Sequence, residues 1–484
     1  MEVRGFRYRI VFTRGVVLAL TGIASLAAAA TPTELTLIAL DGWAGRFAHE
    51  YDYVLRETKG LERIQEPVEL TLTVQGDDTA SWREHIRVVR LTEAGQGALT
   101  PHQVIGEVTA GGVEQRDGNT PHPAASINIV FLADCGANQT ATYRLFWGHP
   151  DGATAGTDLP SATLSGGLEI SGEAPALTIS NEFYRMTLDP KSGAIRRILP
   201  AKQEESSELF YQNIPIHFGV DIWSPPQSWD HDYDWPAPPN QKLEGGPLAL
   251  RYHRWGSMHN YTDVEVSITY TFYAHNPHVH VSSTMRLTQD RSAHAIRMGE
   301  VVVSHSRRPP ENPDPTKEES PEIFTHYGWP VSDGGTLVRK INEHRNELGQ
   351  ATVEGHVPGG LGVLDRDQWW IAAFNQDKGF GLATLRKHQF AGNYLGGVTP
   401  QAAPCTYLGQ YGWGFVYWSR PMVYPLGTSG SPLDLNTAVS AGTIFGTEEA
   451  LLLFEPTEDL GQVAGAYARF VTPLRFEFKG TGPW

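Results

Sequence analysis

Chemistry-bearing residues are densest between Trp223 and Tyr261, where Trp223, Trp229, Trp235 and Trp255 stand among Asp230, His231, Asp232, Asp234, Arg251, His253, Arg254, His259 and Tyr261. A sugar presents an apolar C–H face edged by hydroxyls, so a site for one needs flat aromatic platforms beside hydrogen-bonding and charged groups. This stretch supplies both, and Trp223, Trp229, Trp235, Trp255 and His253 are its candidate substrate-binding residues. Pro225, Pro226, Pro236, Pro238 and Pro239 make it read as a long loop over a sheet, and long loops often carry function.

Cleaving an acidic glycan by elimination takes a cation for the uronate carboxylate, a base for the proton beside it and an acid for the leaving oxygen. Histidine and tyrosine suit the base and acid, and arginine binds a carboxylate bidentately. The catalytic candidates are His259, Tyr261 and Arg251, then Arg297 and Glu300 from a later strand, and His326 and Tyr327 from a later loop. His259 and Tyr261 stand first because they sit at the lip of a long strand. Hydrolysis would instead need two carboxylates about 5 to 10 Å apart, drawn from Asp230, Asp232, Asp234, Glu265 and Glu300. Exchange at the anomeric carbon wants a histidine acid with a carboxylate base, for which His259 and Glu300 are the first pair.

Asp230-His-Asp-Tyr-Asp234 spaces carboxylates like the opening of a calcium loop. However, Trp235 stands where the sharp-turn glycine of an EF-hand belongs, and Gln241 where its bidentate glutamate belongs. An EF-hand is excluded, a different Ca2+ site there stays open, and no other cofactor is expected. No Cys/His set has zinc spacing.

The elements that must carry these groups are strands. With 50 glycines and 33 prolines and almost no sustained helical periodicity, the chain reads as short strands joined by turns. Val68, Leu70, Leu72 and Val74 alternate with polar residues, and further strands are predicted at 85–91, 127–132 and 142–147. These make a β-sandwich over residues 31–150, followed by a Gly/Ala/Asp/Pro linker at 151–160. A second unit, residues 165–484, opens with a hairpin turning at Asp189–Gly193. Its longest strands put Val264, Val266, Ile268, Tyr270 and Phe272 on one face, continued by Val279, Val281, Met285 and Leu287. One helix is predicted where Leu460, Val463 and Tyr467 follow Thr457-Glu-Asp.

Three stretches of the second unit resemble the galactose-mutarotase-like β-supersandwich of aldose epimerases and of many polysaccharide-processing enzymes. They are Ile179-Ser-Asn-Glu-Phe-Tyr-Arg-Met-Thr-Leu-Asp-Pro-Lys-Ser-Gly193, the strand pair Val264–Leu287 with its Tyr-Thr-Phe-Tyr-Ala-His-Asn-Pro centre, and Asp377-Lys-Gly-Phe-Gly-Leu382. The likeness spans roughly residues 170–484. It implies an all-β chain, an N-terminal sandwich followed by a supersandwich, with a glycan on the concave face of the long strands. The epimerase histidine and carboxylate motifs do not map residue by residue, and a sandwich ahead of the supersandwich looks more like a polysaccharide-processing enzyme. The expected function is therefore a lyase acting on a uronic-acid glycan. A sugar epimerase or a non-catalytic carbohydrate-binding or cell-surface protein is the alternative.

Arg4, Arg7, Arg9 and Arg14 precede an apolar run ending in alanines at Ala30, the pattern of an export signal in residues 1–30. A secreted or periplasmic location is expected, without membrane insertion after cleavage. Cleavage would leave 34 Lys+Arg against 53 Asp+Glu, a formal charge of −19. Such a surface repels polyanions, so carbohydrate and not nucleic acid is the expected partner. Cys135 and Cys405, the only cysteines, could form one bridge or stay two buried thiols.

Overall fold

Alternation of apolar and polar residues decides the architecture, and in the computed structural model of the chain it produces six sheets among the described residues. The structure describes residues 37, 38, 40, 43, 47, 49–75, 86–93, 95–110, 124–147, 160–203, 217–304, 323–331, 335–340, 352–353, 363–364, 370–399, 406–411, 415–423 and 437–479. The export signal, Cys405 and the 151–159 part of the linker lie outside them.

The first sandwich packs a sheet of three strands, Arg63–Gln75, Ala124–Cys135 and His102–Ala110, against a six-stranded one. Leu55, Val88, Ile127, Ile129, Phe131 and Leu145 fill the space between. Each such side chain contributes about 1.5–3 kcal/mol by leaving water. Cys135 is buried here, its thiol directed at the Gln139 carbonyl.

The second unit is the expected supersandwich, built on a nine-stranded and a seven-stranded sheet. Val264–Tyr273 pairs with Ala249–Ser257 on one side and His278–Leu287 on the other, all antiparallel. Val264, Val266, Ile268, Tyr270 and Phe272 point inward as the alternation predicts. They meet Val220, Ile222, Ile296, Met298, Val301 and Val303 of the seven-stranded sheet. The predicted hairpin is present as Tyr184–Leu188 and Ile195–Pro200, joined by a turn in which Asp189 accepts the amides of Lys191 and Ser192. The predicted helix runs Gly461–Val471 and seats Val463, Ala466 and Phe470 on the nine-stranded sheet.

Two expectations are corrected. The inner side of the two long strands is packed core, Val264, Val266, Ile268, Tyr270, Phe272, Val279, Val281, Met285 and Leu287 all lying buried in one cluster with residues of the seven-stranded sheet, and is not the open surface expected for a glycan. The boundary at 165–484 also fails at its far end. Arg475–Lys479 leaves the second unit and pairs with His49–Arg56, completing the six-stranded sheet of the first sandwich. Residues 35–484 accordingly form one compact unit. Ile105 and Val130 pack on Ala249 and Tyr273 across the junction, and Gln103 bonds the Ala249 carbonyl at 2.6 Å.

Candidate active site

Inward residues of the strands His217–Trp223 and Ala295–Ser304 belong to the core, so their alternates, Asp221 and Arg297, face the other way. The two are cross-strand partners and their side chains form an ion pair. Glu300 joins them through a β-bulge. The step from Met298 to Val301 faces the shorter step from Arg420 to Trp418 on the neighbouring strand, and Gly299 sits in the left-handed region at φ +59°. Residues three apart on a regular strand point to opposite faces; the extra residue re-phases the strand, so Glu300 lies 3.0 Å from the Arg297 guanidinium.

The short strand Asp230–His231 runs beside Asp221 and leads into the single turn Asp232–Asp234. His231 reaches Asp221 through Nε2 at 3.4 Å and Asp234 through Nδ1 at 2.8 Å. Three carboxylates therefore share two cationic partners. Burial raises the Glu300 carboxyl, Arg297 opposes this, and Asp221, hydrogen-bonded to it, adds to it, leaving a pKa of about 7. Burial disfavours the His231 imidazolium, but Asp221, Asp234 and Glu300 outweigh it and lift the ring to about 9. The Tyr233 hydroxyl is pushed up by burial and by Asp234, Asp221 and Glu300. Burial and Asp221 thus favour the protonated form of Glu300, while the surrounding carboxylates favour the cationic form of His231.

Aromatic rings line one side. Trp223 stacks on Trp229 at 5.4 Å, Tyr233 on His231 at 4.6 Å, and the Arg297 guanidinium lies 4.5 Å over Trp229. Asp221 and Glu300 form the floor, at 1 % and 7 % exposure, while Trp223, Trp229, His231, Tyr233 and Arg297 are half-buried and Asp234 is exposed.

Of the residues singled out in the sequence, Arg297, Glu300, Trp223 and Trp229 come together here. His231 and Asp234 of the same stretch join them, and the remaining candidates lie elsewhere. Tyr261 is fully buried as a strut, its hydroxyl donating to the Ser228 carbonyl at 2.7 Å and accepting from the Ser224 amide at 3.0 Å, with Arg291 over its ring. His259 is exposed on the turn before it. Arg251, His253 and Trp255 occupy the outer face of the nine-stranded sheet, since Leu250, Tyr252 and Arg254 take the inner one. There Arg251 pairs with Glu69 of the first sandwich at 2.8 Å, and His253 stacks on Trp255 while bonding Ser267. Trp235 is buried and donates to the Ser257 carbonyl. His326 stacks on Phe374, and Tyr327 is buried against Trp329 in the core.

Asp230, Asp232 and Asp234 splay toward Asn260, Arg254 and His231, so they do not converge on one cation. Among the described residues no three His, Cys, Asp or Glu side chains are grouped to hold a metal. Sequence reading passed over Asp221, whose one signal was a carboxylate inside an otherwise apolar strand, His-Phe-Gly-Val-Asp-Ile-Trp. His231 and Asp234 stand in the chemistry-dense stretch, Asp234 also in the hydrolytic carboxylate pool, whereas Tyr233 enters only inside the possible calcium loop.

No protein-family model matches the sequence, and no curated protein matches it. Among solved structures the chain is similar to a glycosyl hydrolase family 38 protein from Enterococcus faecalis, at 11% identity over 90% of this chain and 48% of that one, TM-score 0.48. It is similar to an α-mannosidase from Enterococcus faecalis V583 at 12% identity over 90% of this chain and 47% of that one, TM-score 0.49. A third similarity is to a putative aldose 1-epimerase from Klebsiella pneumoniae, at 11% identity over 62% of this chain and 84% of that one, TM-score 0.34. The chain spans about half the length of the two Enterococcus chains.

Proposed function

We propose that this chain is a carbohydrate-active enzyme that moves protons on a sugar ring, with β-elimination of a uronic-acid glycan as the leading reaction. The observation that carries this reading is Glu300, poised near neutrality beside two cations and a protonated tyrosine in a half-open, aromatic-lined cluster. A general base works best when its pKa lies near the operating pH. In its ionised form Glu300 removes the proton next to the uronate carboxyl. Arg297 and the His231 imidazolium take up the charge of that carboxylate, and Tyr233 protonates the leaving oxygen.

One observation favours a second reading: a base near 7 and an acid near 9 side by side also suit anomeric exchange, with Glu300 on the hydroxyl and His231 on the ring oxygen. Incubation with a panel of uronic-acid polysaccharides, followed by ultraviolet absorbance of unsaturated products, tests the first; polarimetry on free aldoses tests the second. Saturable glycan binding with neither signal would leave a binding protein. The leader-like residues 1–30 go with an exported enzyme, checked by sequencing the N-terminus of the protein recovered from outside the cytoplasm.

A further inference from the structure

Two side chains of the nine-stranded sheet grip the peptide that carries Glu300. Glu449, on the strand Thr443–Phe454, presses so closely on Gly299 that a Cβ there would lie 2.6 Å from Oε2 and 2.8 Å from Oε1. Arg386, on the strand Phe380–Asn393, pairs with Glu449 at 3.3 Å and donates to the Gly299 carbonyl at 3.5 Å. Both side chains are 1% exposed, sealed in the sandwich on the side of the strand opposite Asp221 and Arg297.

We propose that Arg386 and Glu449 are positioning residues that lock the Gly299 bulge and so hold Glu300 on the face it shares with Asp221 and Arg297. This deepens the proposed function and rests on Glu300 as the proton-moving group. If the bulge relaxed, regular alternation would carry Glu300 away from Arg297. Among the described residues, the charged and titratable groups that act on it include Asp221 from the adjacent strand, Arg297 from its own, and His231 and Tyr233. A pair that only held the sheets together would leave the protonation of Glu300 untouched.

The test replaces the pair by apolar residues of similar volume, Arg386→Met with Glu449→Leu, a class of exchange that often preserves stability. Circular dichroism monitors the fold, and carboxyl-carbon NMR follows the titration of Glu300, assigned with Glu300→Gln. A folded double variant should titrate Glu300 roughly one pH unit or more closer to the ordinary glutamate range. Its turnover should fall about 10- to 100-fold with little change in KM, as expected of misplacement without lost binding. Gly299→Ala, which drives a methyl into Glu449, should do the same and decides the matter if the double variant does not fold. An unmoved Glu300 midpoint in a folded variant overturns the clamp. A moved midpoint in a protein that turns over no sugar removes the proposed reaction and leaves the clamp standing.

Discussion

Asp232 and His231 are neighbours in the chain, yet they enter two opposite kinds of charged site. Asp232 is wholly buried against Arg254, which also donates to the Ser192 and Asp232 carbonyls and the Tyr270 hydroxyl and lies between the rings of Trp235 and Tyr270. One negative charge meets one positive charge, and both are sealed from water. One residue earlier, His231 turns toward Asp221, Glu300 and Asp234, where acids outnumber cations and part of the cluster meets solvent. The balanced site is a fastener; in the over-acidic one, burial and the neighbouring carboxylates push Glu300 and His231 toward their protonated forms. Imbalance and partial exposure, rather than charge as such, separate a reactive cluster from a structural one.

The contrast can be broken from either side. The largest effect is expected from Glu300→Gln, which should lower turnover by about 100- to 10,000-fold while the far-ultraviolet spectrum stays that of the native protein. Retention of full activity would exclude Glu300 from the chemistry. Arg254→Met should do the reverse, costing about 3–5 kcal/mol of stability in urea melts because Asp232 is left buried and unpaired.

The pH dependence of folding sharpens the comparison further. Burial and Asp221 raise the Glu300 carboxyl in the folded protein to about 7, above the ordinary glutamate value of 4.5 that it takes in the unfolded chain. Its contribution is therefore fully present below about pH 4.5 and lost as pH rises through 7, on the order of 2–3 kcal/mol. Urea melts of Glu300→Gln against the parent should show the variant gaining by that amount between pH 5 and 8; parallel curves would refute the raised carboxyl. The smallest effect belongs to Arg251→Ala. It breaks a partly solvated pair with Glu69, and thermal melts should register less than about 1 kcal/mol and no loss of turnover.

Much of the frame was legible in the residues. Val264 to Phe272 alternate so regularly that face, partner and burial follow from the period alone. The site was harder to see, for reasons that lie in register. Arg251 and Arg254 stand three apart on an unbroken strand and so face opposite ways, which split the aromatic-rich stretch between two surfaces. Arg297 and Glu300, also three apart, share a face only because of the bulge at Gly299, for which the lone glycine in Arg-Met-Gly-Glu is the one signal. Asp221 acquires its role from cross-strand partners 10 and 76 positions away, His231 and Arg297. Tyr261, placed at the lip of a strand, was drawn inward because its hydroxyl satisfies two backbone groups of the preceding loop.

The strand Arg475–Lys479 has a kinetic consequence. Its Glu477 meets Arg56 across 421 positions of sequence, so that side of His49–Arg56 stays unpaired until one of the last segments of the chain reaches it. Contacts of such separation slow folding, since the entropy of closing a long loop is lost before the pairing is gained. Until it docks, His49–Arg56 is a bare template for stray strands, and chain concentration during refolding becomes the variable that governs yield.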